Sequence, residues 1–435
     1  MNFTTPLFVL AFPLVAALYA ALPAGGRPVL LLAVSWLFYA YGGLPALALL
    51  LLATLVSWLC ARGVAAGHRV WLWVEVATAL GLLAIFKYGG FLFGWQGVLL
   101  PAGISFYTFQ TMSYVLDVAR GRADPEPKFW RYALFVSFFP QLVAGPIERP
   151  GDLLPQLHAA RRPTRADVCD GGWRMLRGFF KKVAVADTVA VWVEPVFAAP
   201  HTAAGPAVVL AAVLFAVQIY CDFSGYSDIA LGAARVLGVR LSENFRTPYR
   251  AESLRDFWRR WHISLTRWLT DYLYIPLGGY THRARNLLLV FLCSGLWHGA
   301  GWNFIAWGLI HALGQLAEEH LPAPPPKLRR VLVFAFCCVG WVVFRAANLT
   351  EAAALLAALP HGWAHPLQAL VLTGLQLADL PRLVLLLAVL SRWDDDPRPA
   401  AHRPLVLGAA LGCVGLLWLT RLAGGAANTF LYFQF

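Results

Sequence analysis

Apolar residues fall along this chain in long blocks separated by basic or glycine- and proline-containing connectors. A helix needs about 20 mainly apolar residues to cross a bilayer. The blocks at 6–23, 28–44, 46–60, 70–86, 91–118, 183–199, 207–234, 286–317, 331–347, 367–390 and 404–421 therefore predict membrane helices. Two shorter blocks, 132–147 and 257–279, read as re-entrant or interfacial. No internal repeat or low-complexity linker divides the chain. The expectation is an all-α, polytopic integral membrane protein with about 10–12 transmembrane helices plus re-entrant and interfacial helices, forming one membrane domain over 1–435.

Two blocks resist a simple hairpin reading. Residues 286–317 contain no Asp, Glu, Lys or Arg over 32 positions, so one straight helix would be ~48 Å long against a hydrocarbon core of ~30 Å. A break is needed, and Gly299-Ala300-Gly301 is the natural place for it. The 132–147 block has basic residues on both sides, is short for a span and ends in Ala144-Gly145-Pro146. It reads as a segment that enters and turns back, which irregular backbone does at depth only when protein or a watery cavity surrounds it.

Composition sharpens the class. Hydrophobic residues make up 59% and charged residues 13% of the 435, against usual values of ~45–50% and ~25%; mean hydropathy is +0.61. Soluble, disordered, collagenous and small disulfide-rich classes are excluded. The net charge of +12 would suggest nucleic acid in a soluble protein, but membrane proteins gather Lys and Arg in cytoplasmic loops, so no nucleic-acid partner is expected. Residues 119–182 carry 12 of the 35 basic residues and 235–285 another 10. With those loops cytoplasmic, the N-terminus faces the other side. Residues 1–26 contain no Lys or Arg, so the basic n-region of a cleaved signal peptide is missing and the first apolar block is expected to remain as a helix. The cysteines show no CxxC pair and no metal-ligand spacing, and are expected to act as small hydrophobes.

An ionisable group at membrane depth is costly and marks function by default. His298, in Gly-Leu-Trp-His-Gly-Ala-Gly-Trp, fits best: a neutral imidazole can take a proton from a hydroxyl or thiol. Interhelical packing is the other reading, and residue physics leaves both open; His311 in the same block is the weaker candidate. His262 lies in Asp256-Phe257-Trp258-Arg259-Arg260-Trp261-His262-Ile263-Ser264-Leu265. At 100° per residue Trp258, Trp261, Leu265, Trp268, Leu269 and Tyr272 share a stripe, with Arg260, Arg267 and Asp271 opposite. That predicts a basic amphipathic interfacial helix, whose charged side can be a solvated surface or can attract a phosphate-bearing donor. Asp222 and Asp228 adjoin an apolar helix and call for ion-pair partners, for which Arg235, Arg246 or Arg250 are candidates; Glu148 has the same status. There is no HExxH, GxSxG or GxxxxGK[ST] motif. His361 and His365 sit in a loop with Gly362 and Pro366, and the 394–396 acidic run reads as a solvated loop, so no metal site is expected.

The string 255–265, continuing through Asp271-Tyr272-Leu273-Tyr274-Ile275-Pro276-Leu277-Gly278-Gly279, resembles the signature of membrane-bound O-acyltransferases, in particular the bacterial alginate O-acetyltransferase branch. Further matches run in order along nearly the whole chain: Ser105-Phe106-Tyr107-Thr108-Phe109-Gln110, Phe138-Phe139-Pro140-Gln141 through Gly145-Pro146-Ile147, the 222–228 string, Glu243-Asn244-Phe245, Gly295-Leu296-Trp297-His298-Gly299-Ala300 and Tyr432-Phe433-Gln434-Phe435. The resemblance implies a ring of helices around a central tunnel, with N-terminal helices at 1–118, a catalytic core region at 119–347 and C-terminal helices at 348–435. It implies His298 as the catalytic histidine and His262 as the second. Trp258, Arg259, Arg260, Trp261, Asp271, Trp297 and Asp222 are the candidate substrate- and donor-binding side chains. It also implies an acyl thioester donor (acetyl-CoA or an acyl carrier) on the cytoplasmic side, no tightly bound cofactor, and an extracytoplasmic acetyltransferase partner that modifies an exopolysaccharide such as alginate. Placement would be multi-pass in a bacterial inner membrane, in contact with the lipid bilayer.

Three alternatives stay open at this stage: D-alanyl transfer to teichoic acid-type polymers, a secondary transporter, and a scaffold for a polysaccharide synthase. A transporter should show matching halves, and none is visible; a scaffold would tolerate loss of both histidines.

Overall fold

The computed structural model describes residues 2–95, 97, 100–322, 324–395, 415, 430 and 431. The expected span at 404–421 (residue 415 apart), Asp396 and the 432–435 string lie outside them. The described residues are helical with no strand. The chain packs as two compact units, Met1–Leu176 with Tyr226–Asn244, and Arg177–Gly225 with Phe245–Phe435.

In the first unit the usual distribution of polarity is inverted. Along helix Pro6–Ala21, Leu7, Leu10, Leu14 and Leu18 recur every three or four residues and face outward, an apolar stripe that water would penalise and lipid accepts. Polar groups are inside instead. Thr54 and Ser57 of helix Leu44–Ala65 are buried; the Thr54 hydroxyl donates to the Leu50 carbonyl at 2.6 Å, and Ser57 Oγ lies 2.5 Å from the Tyr132 hydroxyl. Glu75 of helix Val70–Phe86 is buried and hydrogen-bonds to Thr111. Helix Ile104–Ala119 is buried on nearly every face and meets its own polar demand: Thr108 donates to the Ile104 carbonyl at 2.6 Å, Ser113 to Gln110 at 2.8 Å and Gln110 Nε2 to Phe135 at 3.0 Å. Left unmade in an apolar surrounding, each such bond would cost several kcal/mol.

The block read as one span at 91–118 is two helices, Gly89–Phe93 and Ile104–Ala119. Pro101 interrupts it, and Gly103 starts the second helix in the left-handed region (φ 76°). A Cβ there would lie 2.5 Å from the Leu142 carbonyl oxygen, so only glycine fits. The 132–147 block forms helices Phe129–Ser137 and Phe139–Leu142, and every residue from 132 to 150 is buried. Its irregular backbone is therefore enclosed by protein, as its composition required.

The acidic residues of this unit find partners other than those the sequence suggested. Asp228 accepts from Arg174 at 3.0 Å, and Arg174 also clasps Glu243 with two bonds of 2.6 Å. Arg235 pairs instead with Asp167 at 3.0 Å. The Arg161 guanidinium hydrogen-bonds to Asp167 and, with Thr164 and Arg235, holds its carboxyl well below the usual carboxylate range. Glu148 accepts from the Ser242 N–H at 2.6 Å and hydroxyl at 3.0 Å.

Among the described residues, helices Leu44–Ala65 and Gly205–Val236 are long and apolar enough to cross a membrane by length and composition. Pro366–Thr373 and Leu377–Trp393 pass that test together but are bent by 68°, so the block read as one span at 367–390 is broken, with Gly374 at φ 67°. Pro6–Ala21, Gly26–Ala40, Val70–Phe86 and Leu349–Ala358 are shorter apolar helices.

In the second unit the 286–317 block breaks where its glycines predict, into helices Arg283–His298 and Trp302–Glu318. These pack backbone to backbone: a Cβ on Gly295 would run into the Phe304 carbonyl, and one on Gly308 into the Phe291 carbonyl. Because the obstructing atoms are main chain, Gly308→Ala is expected to destabilise the protein by about 1–3 kcal/mol, seen as a lower unfolding temperature in detergent than wild type. None of the cysteines among the described residues forms a disulfide, and Cys60, Cys221, Cys337 and Cys338 are buried.

Candidate active site

His298 is the last residue of its helix, and the extended backbone at Gly299 and Gly301 separates it from the next. The glycines are needed here for space: a Cβ on Gly299 would collide with the Phe304 ring. The imidazole is 5% exposed and walled by the rings of Trp297 and Trp307, each 5.1 Å away between centroids, and Phe344 at 5.4 Å. A cavity of about 20 Å³ lies beside it, lined by His298, Asp222, Trp261 and the apolar side chains of Ile219, Phe223, Trp307, Trp341, Phe344, Phe430 and Leu431. That is room for about one water-sized group.

His262 reaches the same place by a different route. The amphipathic helix expected across 257–279 is not continuous. It divides into Leu254–Arg260 and Ile263–Leu269, with His262 between them in the left-handed region (φ 45°, ψ 52°). Periodicity could not show this, because the apolar stripe keeps its phase across the break; Trp258, Trp261, Leu265, Trp268, Leu269 and Tyr272 are all buried. The turn places the His262 ring 6.4 Å from that of His298, with Trp297 against both and Phe223 edge-on at 4.8 Å. A left-handed non-glycine residue costs about 1–2 kcal/mol. His262→Gly is therefore expected to be more stable than His262→Ala by about 1 kcal/mol, measured by thermal unfolding in detergent; equal stabilities would mean that the turn carries no strain.

The other residues singled out from the sequence divide into two groups. Asp222, Trp261 and Trp297 stand at the cavity or against its histidines. Trp258 is one layer out, where its indole N–H donates to His311 Nδ1 at 3.3 Å. Arg259 is exposed, Arg260 is half-buried and pairs with Asp256 at 2.9 Å, and Asp271 is half-buried on the turn Thr270–Tyr274; none of the three lines the cavity.

The lysine of the site, Lys182, was not singled out from the sequence. Asp222 is buried and paired with Lys182, not with an arginine, and Lys182 also contacts Asp187 at 2.9 Å. Lys182 stands on the π-helical turn Phe180–Ala186 with its side chain 2% exposed. The signal was present, since Lys181-Lys182 is flanked by Phe179-Phe180 and Val183-Ala184, but that pair read as the basic edge of a loop. His311 is fully buried within the aromatic cluster of Trp258, Trp307 and Phe336. No group of three or more His, Cys, Asp or Glu among the described residues is arranged to hold a metal ion.

A lipid-facing helical protein with a buried histidine beside a small, mostly apolar cavity has the elements of a membrane-embedded group-transfer enzyme. The model of MBOAT, the membrane-bound O-acyltransferase family, matches residues 37–321. The chain is 37% identical to the "Probable alginate O-acetylase AlgI" of Pseudomonas putida across the whole of both chains. It is 40% identical to the protein of the same name from Azotobacter vinelandii over 93% of this chain and 87% of that one. It is 34% identical to the "Peptidoglycan O-acetyltransferase" of Helicobacter pylori over 81% of this chain and 79% of that one. The chain belongs to the membrane-bound O-acyltransferase family, and it is a membrane-embedded O-acyltransferase.

Proposed function

We propose that this chain moves an acetyl group from a thioester donor on the cytoplasmic side of a bacterial inner membrane toward an exopolysaccharide outside it. An extracytoplasmic acetyltransferase partner would complete the ester. Relatives named for alginate and peptidoglycan O-acetylation support a polymeric sugar as the final acceptor. The observation that carries the reading is the placement of His298: a basic, buried side chain at a cavity that holds a small group and little else.

In the step itself an acceptor hydroxyl attacks the thioester carbonyl while its proton passes to the His298 imidazole. The carbon–sulfur bond then breaks, and His298 returns the proton to the leaving thiolate. The surrounding rings exclude water, which would otherwise take the acyl group. His262 packs on Trp297, which packs on His298 and holds its ring in place, and Asp222 supplies a polar wall. The basic loops at 119–182 and 235–285 attract a phosphate-bearing donor to the cytoplasmic face. Arg259 and Arg260 belong to that surface, with Asp271 nearby in sequence. The 119–347 region would hold the chemistry, with the helices before and after it as its frame.

In cells making the acetylated polymer, His298→Ala is expected to lower polymer O-acetyl content at least 100-fold, the low end of a general-base contribution of about 10²–10⁴, at unchanged membrane levels. His262→Ala should lower it as well. Wild-type acetylation in His298→Ala would remove the assignment and favour a scaffold.

A further inference from the structure

One wall of the His298 cavity comes from residues far along the chain that the acyl-transfer step does not use. Phe430 is fully buried and Leu431 nearly so, and both line the cavity. The Leu431 N–H donates to Asp222 Oδ2 at 2.9 Å across 209 residues of sequence. Asp222 Oδ1 in turn accepts from Lys182, which is also bound to Asp187. The Phe430 ring stands edge-on to Phe223, 6.0 Å between centroids, and Phe223 packs on His262. A lysine and an aspartate buried together, here Lys182 and Asp222, are expensive to desolvate and are tolerated only with close pairing. Here they fix the position of two apolar side chains at the reaction cavity.

We propose that Phe430–Leu431, pinned by the Lys182–Asp222 pair, is the acyl-length stop of this enzyme and restricts the transferred group to two carbons. The inference rests on the reading of His298 as the reacting centre. The cavity of about 20 Å³ has room for about one water-sized group, which a methyl group matches, and each further methylene needs similar room again. Ile219, Phe344 and Phe430 make its lining apolar, which suits a methyl group and penalises the ammonium of an aminoacyl group. Both oxygens of the one carboxylate there, Asp222, already accept hydrogen bonds.

The test uses membranes of the producing cell, with acetyl, propionyl and butyryl groups each presented on coenzyme A and on acyl carrier protein, and free thiol released as the readout. His298→Ala sets the background. Wild type should favour acetyl over butyryl at least tenfold, since one methylene alone supports about 10- to 200-fold discrimination and butyryl carries two more than acetyl. Phe430→Ala should bring the two within about twofold, the added volume removing that discrimination. Phe430→Leu, a milder opening that keeps an apolar plug, should admit propionyl but not butyryl and is read if the alanine variant fails to reach the membrane. Wild-type ratios in both variants at normal membrane levels would overturn the acyl stop while leaving His298 in place. Thiol release by wild type no faster than by His298→Ala would overturn the His298 reading, and this inference with it.

Discussion

Replacing Lys182 with methionine is expected to destabilise the protein by about 3–5 kcal/mol, the cost of leaving buried charge without its partner. Lys182 and Asp222 have side chains 2% and 3% exposed, and Asp187 is 9% exposed. With the ammonium gone, the buried Asp222 carboxylate would lose its cation. The apolar stem of methionine keeps most of the packing, so lost charge dominates the effect. Denaturant or thermal unfolding in detergent would measure it. A triple variant, Lys182→Met with Asp187→Asn and Asp222→Asn, should recover much of the loss, because neutralising a whole buried cluster is far cheaper than removing one member. If the single variant is as stable as wild type, the cluster is not held together as described.

The second large effect concerns chemistry and not folding. His298→Gln keeps a polar side chain of similar reach but cannot take and return a proton near neutral pH. Acyl transfer should fall by about 10²–10⁴, while unfolding temperature changes little, because the walls formed by Trp297, Trp307 and Phe344 remain. A packing histidine would give the reverse: activity retained with stability lost. Measuring both quantities on one preparation separates the two roles that the sequence alone left open.

What was legible in the sequence follows from how local each signal is. The apolar blocks identified a helical membrane protein because lipid exposure is written into consecutive residues. The break at 299–301 was readable because a 32-residue uncharged run is too long to cross straight and its glycines are adjacent. The turn at His262 was not, because the stripe of aromatic residues continues in phase on both sides of it. Nor were the ion pairs. Asp222 is held by a lysine 40 residues earlier and Asp228 by Arg174, 54 residues earlier, and composition alone offered nearer arginines. The contribution of Phe430 and Leu431 was the least accessible, since nothing local to those two residues indicates a partner 209 positions away. His298 stood out because an ionisable group in a long apolar block is rare, whereas His262 read as part of an interfacial helix and only the family resemblance pointed to it.

The central claim is that His298 performs acyl transfer, and its most direct test is thioester cleavage by the purified chain in lipid vesicles supplied with the extracytoplasmic partner and the acceptor polysaccharide. Wild type and His298→Gln would be compared at equal protein density, with free thiol counted against time. The account predicts release by wild type at least 100-fold above His298→Gln. Equal rates in the two proteins would contradict it.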